Sequence, residues 1–243
     1  MKKGEVRIGT SGWHYKHWKN TFYPNELPEK QQFPFYATRF NTVEINNSFY
    51  KLPAEDVFRQ WRKDSPRDFL FVIKASRFIT HMKKLNLDKD GIRLFFSRVK
   101  LLKEKLGPIL FQLPPRWKFN PERLAHFLSI LPSKYRYAFE FRDKSWYRNE
   151  TYELLRKNDC AFCIYELAGH QSPMEVTASF VYIRLHGPSL SKYQGNYSKQ
   201  QLTMWKKKCA AWQKEGKDVY MYFDNDQAGY AAFNAATLID LLK

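Results

Sequence analysis

The chain has 243 residues, 44% of them hydrophobic and 17% aromatic, which is ample material for a large packed core and excludes a disordered polymer. No apolar run approaches the roughly 20 residues that cross a bilayer, and Met1 to Glu5 lead straight into a short strand, so a cytoplasmic location with no membrane association is the expectation. Lysine and arginine total 41 against 24 acidic residues, a net charge of +17 that attracts nucleic acid, a phosphorylated substrate or another anionic surface.

In chain order, a first strand is predicted at Val6 to Gly9, followed by Thr10-Ser11-Gly12-Trp13 and an aromatic loop. Neither a dinucleotide-binding glycine spacing nor a Walker A loop is present. A helix follows from Pro28 to Arg39. The stretch from Asn41 to Tyr50 opens as a second strand and turns polar, with Thr42, Glu44 and Asn46 on one face. A helix from Ala54 to Lys63 is stopped by Ser65-Pro66. The third strand, Phe69 to Lys74, enters a long loop containing Thr80, His81 and Met82. Ile92, Phe95, Phe96, Val99, Leu102 and Leu106 then form an apolar stripe at helical spacing, closed by Gly107-Pro108.

A fourth strand is predicted at Ile109 to Gln112 and a helix from Pro121. The fifth strand, Tyr135 to Phe141, carries the loop Arg142 to Trp146 and precedes a helix from Glu150 to Lys157. The sixth is Cys160 to Tyr165, after which Gly169, Pro173 and a lack of periodic apolar residues leave the next helix short or missing. The seventh is Phe180 to Leu185 and the eighth Asp218 to Phe223, with a closing helix rich in alanine. Cys160, Cys163 and Cys209 suggest no disulfide framework. Cys160 and Cys163 have redox or zinc spacing, but in a strand positions three apart face opposite sides, so buried reduced thiols are expected.

Eight strand-like runs alternating with helices, without a linker, are the pattern of an α/β protein with one (β/α)8 TIM-type barrel over residues 1–243. A doubly wound open sheet is the alternative, because periodicity does not show closure. In a barrel, inward parity places Glu44 and Asn46, Lys74, Gln112, Glu140 and Arg142, Arg184 and His186, and Tyr222 and Asp224 at the C-terminal strand ends, where barrel enzymes hold their chemistry. Three carboxylates face three cations, and His81 and His186 are too few for a histidine-rich metal site, so no metal and no cofactor are expected.

Short motifs at these strand ends resemble the YecE-like family, domain of unknown function 72. They are Ile8-Gly9-Thr10-Ser11-Gly12-Trp13, Thr42-Val43-Glu44-Ile45-Asn46 with Ser48-Phe49-Tyr50, Gln112-Leu113-Pro114-Pro115, Glu140-Phe141-Arg142 with Ser145-Trp146, Arg184-Leu185-His186-Gly187 and Tyr222-Phe223-Asp224-Asn225-Asp226. The resemblance spans essentially the whole chain and implies a TIM-type barrel; it implies no established reaction. Lys74 and His81 look similar to the family's third-strand signature.

The leading expectation is a metal-independent enzyme that acts on a phosphate-containing substrate, nucleic acid included, by hydrolysis or elimination. Glu140 and His186 are the expected proton-transfer groups, with Glu44 and Asp224 completing the catalytic set and Asn46 and Asp226 orienting. Lys74, Arg142 and Arg184 form an expected anion clamp. Gln112, Tyr222, Asn225 and His81 complete the expected substrate contacts. Trp13, Tyr15, Trp146, Tyr193 and Tyr197 either stack on bases or sugars or pack structurally. Two alternatives remain: a non-catalytic nucleic-acid-binding module, and a sugar-active hydrolase pairing Glu44 with Glu140. An anionic small molecule or nucleic acid is the expected partner, and the oligomeric state is not indicated.

Overall fold

The structure, a computed structural model, describes residues 2–243; Met1 lies outside the described residues. Its strands are β1 (Val6–Thr10), β2 (Thr42–Ile45), β3 (Leu70–Lys74), β4 (Leu106–Gln112), β5 (Tyr137–Glu140), β6 (Cys160–Leu167), β7 (His170–Gln171), β8 (Phe180–Leu185) and β9 (Asp218–Phe223). All but β7 are joined by parallel pairing in the order β1-β9-β8-β6-β5-β4-β3-β2. A parallel bridge between Ser11 and Glu44 brings β1 against β2, so eight parallel strands form a nearly closed barrel rather than an open sheet. The helices are α1 (Glu29–Arg39), α2 (Asn47–Tyr50), α3 (Glu55–Asp64), α4 (Lys89–Val99), α5 (Pro121–Ile130), α6 (Asn149–Lys157), α7 (Lys199–Lys214) and α8 (Tyr230–Leu242). Among the described residues no helix is long and apolar enough to cross a membrane.

The strands read as continuous apolar runs because both faces are covered; β2, β5 and β8 are buried at every position. One core lies between strands and helices, where Phe33 stacks on Phe71 and Phe111 on Phe139. The other fills the barrel axis with Val72, Leu110, Ala138, Ala161, Cys163, Tyr165, Tyr182 and Tyr222. Small residues on β5 and β6 face the tyrosines of β8 and β9, whose rings lie 5.5 Å apart, and this alternation of size closes the floor beneath the mouth. Cys163 lies in the axial core and Cys160 in the outer one; all three cysteines are buried free thiols.

Several boundaries differ from expectation. Gly107-Pro108 does not close the fourth helix: α4 ends at Val99, a 3-10 segment runs to Lys105, and Lys103 turns the chain at φ 51° so that Leu106 already starts β4. Glycine suits position 107 because a Cβ there would stand 3.0 Å from Val72 Cγ2 on the neighbouring strand. Pro28 caps α1 from outside, and the expected loop after β3 winds into a π-turn over Phe78–Met82. After β6 no helix forms. The chain instead folds back as β7, antiparallel to β6, leaving Tyr165 and Ser172 hydrogen-bonded.

Candidate active site

The parity of the strands carries a charged layer directly above the tyrosine floor. Arg184 of β8 is 1% exposed and centres it, with Nη2 2.8 Å from Glu44 Oε1, Nη1 2.9 Å from Glu140 Oε2 and Nη2 3.3 Å from Asp224 Oδ2. Glu44 also accepts hydrogen bonds from Ser11 Oγ (2.6 Å) and Tyr182 OH (2.5 Å). Arg142 Nε donates to Glu140 Oε1, and its guanidinium lies over the Tyr165 ring at 4.6 Å. Buried ions at this density persist only when each has a partner, and here each does.

His186 is fully buried between the two arginines and Asp224. Nδ1 is 2.9 Å from Asp224 Oδ2, while Nε2 lies 3.1 Å from Arg142 Nη2 and 3.3 Å from Arg184 Nη1. Guanidinium groups only donate, so Nε2 is the acceptor and Nδ1 carries the proton toward Asp224. Burial and Arg184 lower the His186 pKa below its ordinary value against the pull of Asp224, so the ring is neutral at pH 7. With both nitrogens occupied, His186 positions Asp224 and is not a free proton carrier. Burial would raise the Glu140 carboxyl, but Arg142 and Arg184 overcome it and hold it well below the usual carboxylate range. Glu140 is therefore a fixed anion, not the acid or base expected from sequence.

Above the layer a cavity of about 490 Å³ opens at the C-terminal face. Tyr15, Asn46, Lys74, Tyr193, Asp224 and Asp226 line it, and His17, Tyr50 and Lys192 stand at its exposed rim. Asp224 Oδ2 is taken by His186 and Arg184, whereas no described side chain hydrogen-bonds to Oδ1. Burial would raise the Asp224 carboxyl, but the hydrogen bond from His186 and the charge of Arg184 lower it. Asp226 goes the other way. Burial pushes it up to about 6, although Trp18 Nε1 donates to its Oδ1 at 2.6 Å. His17 Nε2 lies 2.9 Å from Asp226 Oδ2, without the alignment of a hydrogen bond. Two carboxylates on one cavity with pKa values driven apart are the arrangement of a base beside an acid.

Among the described residues no group of three or more His, Cys, Asp or Glu side chains is placed to hold a metal ion, because the carboxylates are directed at guanidiniums.

The family described as "Protein of unknown function DUF72" matches residues 7–243. The chain belongs to the DUF72 family. It is similar to the UPF0759 protein YunF of Bacillus subtilis (strain 168), with 26% identity covering 98% of this chain and 94% of that protein. It is also similar to the UPF0759 protein YecE of Escherichia coli (strain K12), with 34% identity over 115 residues, 46% of this chain and 42% of that protein. Among solved structures, a DUF72 family protein from Thermotoga maritima MSB8 aligns with a TM-score of 0.88 at 30% identity, covering 98% of this chain and 99% of that one.

Some of the residues singled out from sequence lie off this DUF72 cavity. Trp146 is buried, stacked on Phe141 at 4.8 Å, with Nε1 donating to the Trp117 carbonyl at 2.7 Å. Tyr197 is also buried; its hydroxyl donates to Glu166 and accepts from the Gly187 N–H. Tyr222 belongs to the floor, hydrogen-bonded to Thr42 Oγ1. Asn225 Nδ2 donates to the Gly195 carbonyl and Asn234 Oδ1, tying the loop after β8 to α8. Trp13 packs on Phe33 and Trp61, Gln112 reaches only the Leu113 carbonyl, and His81 holds Thr80 beside Phe49. Burial, with Lys74 and Arg77 nearby, pushes His81 down to about 4.

Sequence reasoning gave no site role to Ser11, Tyr182, His17 or Lys192. Tyr182 was within reach, since it shares parity with Arg184 two residues on, and Ser11 lies in the motif at the end of β1; His17 and Lys192 enter only through the folding of loops.

Gly187 shapes the rim. Its φ is +106°, and a Cβ would lie 2.1 Å from the Gln194 carbonyl oxygen, so glycine alone lets the loop carrying Lys192, Tyr193 and Gln194 return over His186. Gly187→Ala is expected to cost about 1–3 kcal/mol in strain and to displace Tyr193 from the His186 ring, 5.4 Å away. Thermal unfolding and Tyr193 accessibility check this; an unchanged melting temperature and loop would remove that role.

Proposed function

We propose that this DUF72 protein is a metal-independent enzyme acting on a phosphate-containing substrate at the C-terminal mouth of the barrel, by elimination or hydrolysis. The observation that carries the reading is one cavity lined by Lys74 and edged by Lys192, with Asp224 and Asp226 on the same cavity and opposed in proton affinity. The two lysines and the surrounding field of +17 favour a phosphate group, Asp224 through Oδ1 removes a proton, and Asp226 supplies one to a departing oxygen. Arg184 is not the clamp itself. It is saturated by carboxylates and keeps Asp224 ionised and oriented.

What supports independence from metal is that Glu44, Glu140 and Asp224 direct their lone pairs at arginines and His186. Screening phosphorylated sugars, nucleotides and oligonucleotides for product release should find turnover that survives EDTA. Turnover abolished by EDTA and restored by a divalent cation overturns the metal-independent reading.

A second reading, a nucleic-acid-binding module without catalysis, draws on the charge and on rim tyrosines Tyr50 and Tyr193, 75% and 45% exposed. It requires affinity that falls steeply with salt and no turnover. The sugar-active alternative is set aside because Glu44 and Glu140 flank one guanidinium, which fills the space a sugar would need.

A further inference from the structure

Lys74 is the group in the mouth that the charged layer leaves over. It ends β3 and lines the cavity, and its carbonyl is pinned by a hydrogen bond from Ser48 Oγ at 2.7 Å. Glu44, Glu140 and Asp224 are bound by Arg184, Arg142 and His186, and Lys74 forms no ion pair with any described residue. Its amino group stands instead over the Phe49 ring, 4.5 Å from the centroid. An apolar wall on one side, the Arg184 guanidinium behind and an open cavity in front are the setting in which a lysine amine becomes a nucleophile. Burial, reinforced by Arg184 and only partly opposed by Glu140, Glu44 and Asp224, pushes its pKa down to about 8, so the neutral amine is well populated just above neutrality.

We propose that Lys74 forms an imine with the substrate, and that the substrate class is a phosphorylated aldehyde or ketone with its phosphate on the carbon β to the carbonyl. This rests on the elimination arm of the proposed function. The neutral Nζ attacks the carbonyl carbon, the C=O π pair moves to oxygen, and that oxygen takes the proton released from nitrogen. The carbinolamine hydroxyl then accepts a proton from Asp226 and leaves as water, giving the C=N⁺ iminium. The iminium acidifies the neighbouring C–H; Asp224 removes that proton, the C–H pair forms the new C=C bond, and phosphate departs with the C–O pair. Water then adds to the C=N⁺ carbon and returns the carbonyl product and the free amine. No oxidant or reductant enters at any step.

The test uses the full chain with glyceraldehyde 3-phosphate as probe and sodium cyanoborohydride as trapping reductant, followed by intact mass measurement and peptide mapping. Phosphate release is followed in parallel against an enzyme-free blank. The expected result is a single reduced adduct on the Lys74 peptide, lost in Lys74→Arg, which keeps the charge but forms no imine, and retained in the surface control Lys208→Ala. Labelling spread over surface lysines with Lys74 unmodified in the wild type overturns the proposal, and that readout needs no variant to fold. Release above the blank without an adduct sinks the imine while leaving the proposed function intact. An adduct without release sustains Lys74 as nucleophile and removes the β-phosphate elimination.

Discussion

Arg184→Met is expected to destabilise the protein by at least roughly 3–5 kcal/mol, the range for breaking a buried ion pair, because three carboxylates lose their common counter-ion at once. For a chain of this size that corresponds to a fall in melting temperature on the order of 10 °C. Arg184→Lys should recover little of it, since one ammonium does not span Glu44, Glu140 and Asp224 in the way a planar fork does. The pH dependence separates this from a simple packing defect. In the wild type the folded Glu140 value lies below its ordinary 4.5, so its contribution is complete above that value and is lost as pH falls toward the folded one. In Arg184→Met the crowded carboxylates bind protons more readily, so the deficit against wild type should shrink as pH drops below about 5. Urea unfolding at pH 7 and at about pH 4 measures both. A variant within about 1 kcal/mol of wild type at pH 7 removes Arg184 as the centre of the layer.

The second large effect is on turnover. Asp224→Asn should lower kcat/KM by about 10²–10⁴-fold, the usual contribution of a positioned base, while the amide still accepts from His186 and leaves the fold intact. Asp226→Asn removes the acid and should change the shape of the pH profile. With Asp226 raised to about 6, the protonated form prevails below that pH, so the ratio of wild-type to variant rates falls as pH rises through 6, the variant being slower below that pH and lacking that limb. The same shift has a stability consequence of known sign. A folded value above the unfolded one stabilises only at low pH and is lost as pH rises through about 6, so Asp226→Asn should be more stable than wild type at pH 7. An unchanged profile in Asp226→Asn excludes it as the acid. Wild-type rates in Asp224→Asn exclude the base.

These roles differ from the ones suggested by residue type alone. Glu140 and His186 look like proton-transfer groups in the sequence, and both sit in the layer. Their neighbours disqualify them: Glu140 is held ionised by Arg142 and Arg184, and His186 has both ring nitrogens engaged. The aromatic residues divide in the same way. Tyr193 reaches the cavity, while Trp146 and Tyr197 are consumed by packing and by hydrogen bonds to Trp117 and Glu166.

The alternation of buried strands and helices, the missing helix after β6 and the inward parity of Glu44, Lys74, Glu140, Arg184 and Asp224 were all legible in the chain itself. They follow from periodicities of the backbone, which are local and need no knowledge of neighbours. The end of α4 was not, because a left-handed turn at Lys103 and the tight approach of Gly107 to Val72 are settled by contact with β3. Nor were the partners of each charge. Which carboxylate is saturated, which oxygen faces the cavity and which lysine is left unpaired depend on distances between strands far apart in sequence, and those distances set burial and field, and through them the proton affinities. Backbone periodicity alone placed the polar residues at one end of the strands. The nearly closed barrel decided what each of them is free to do.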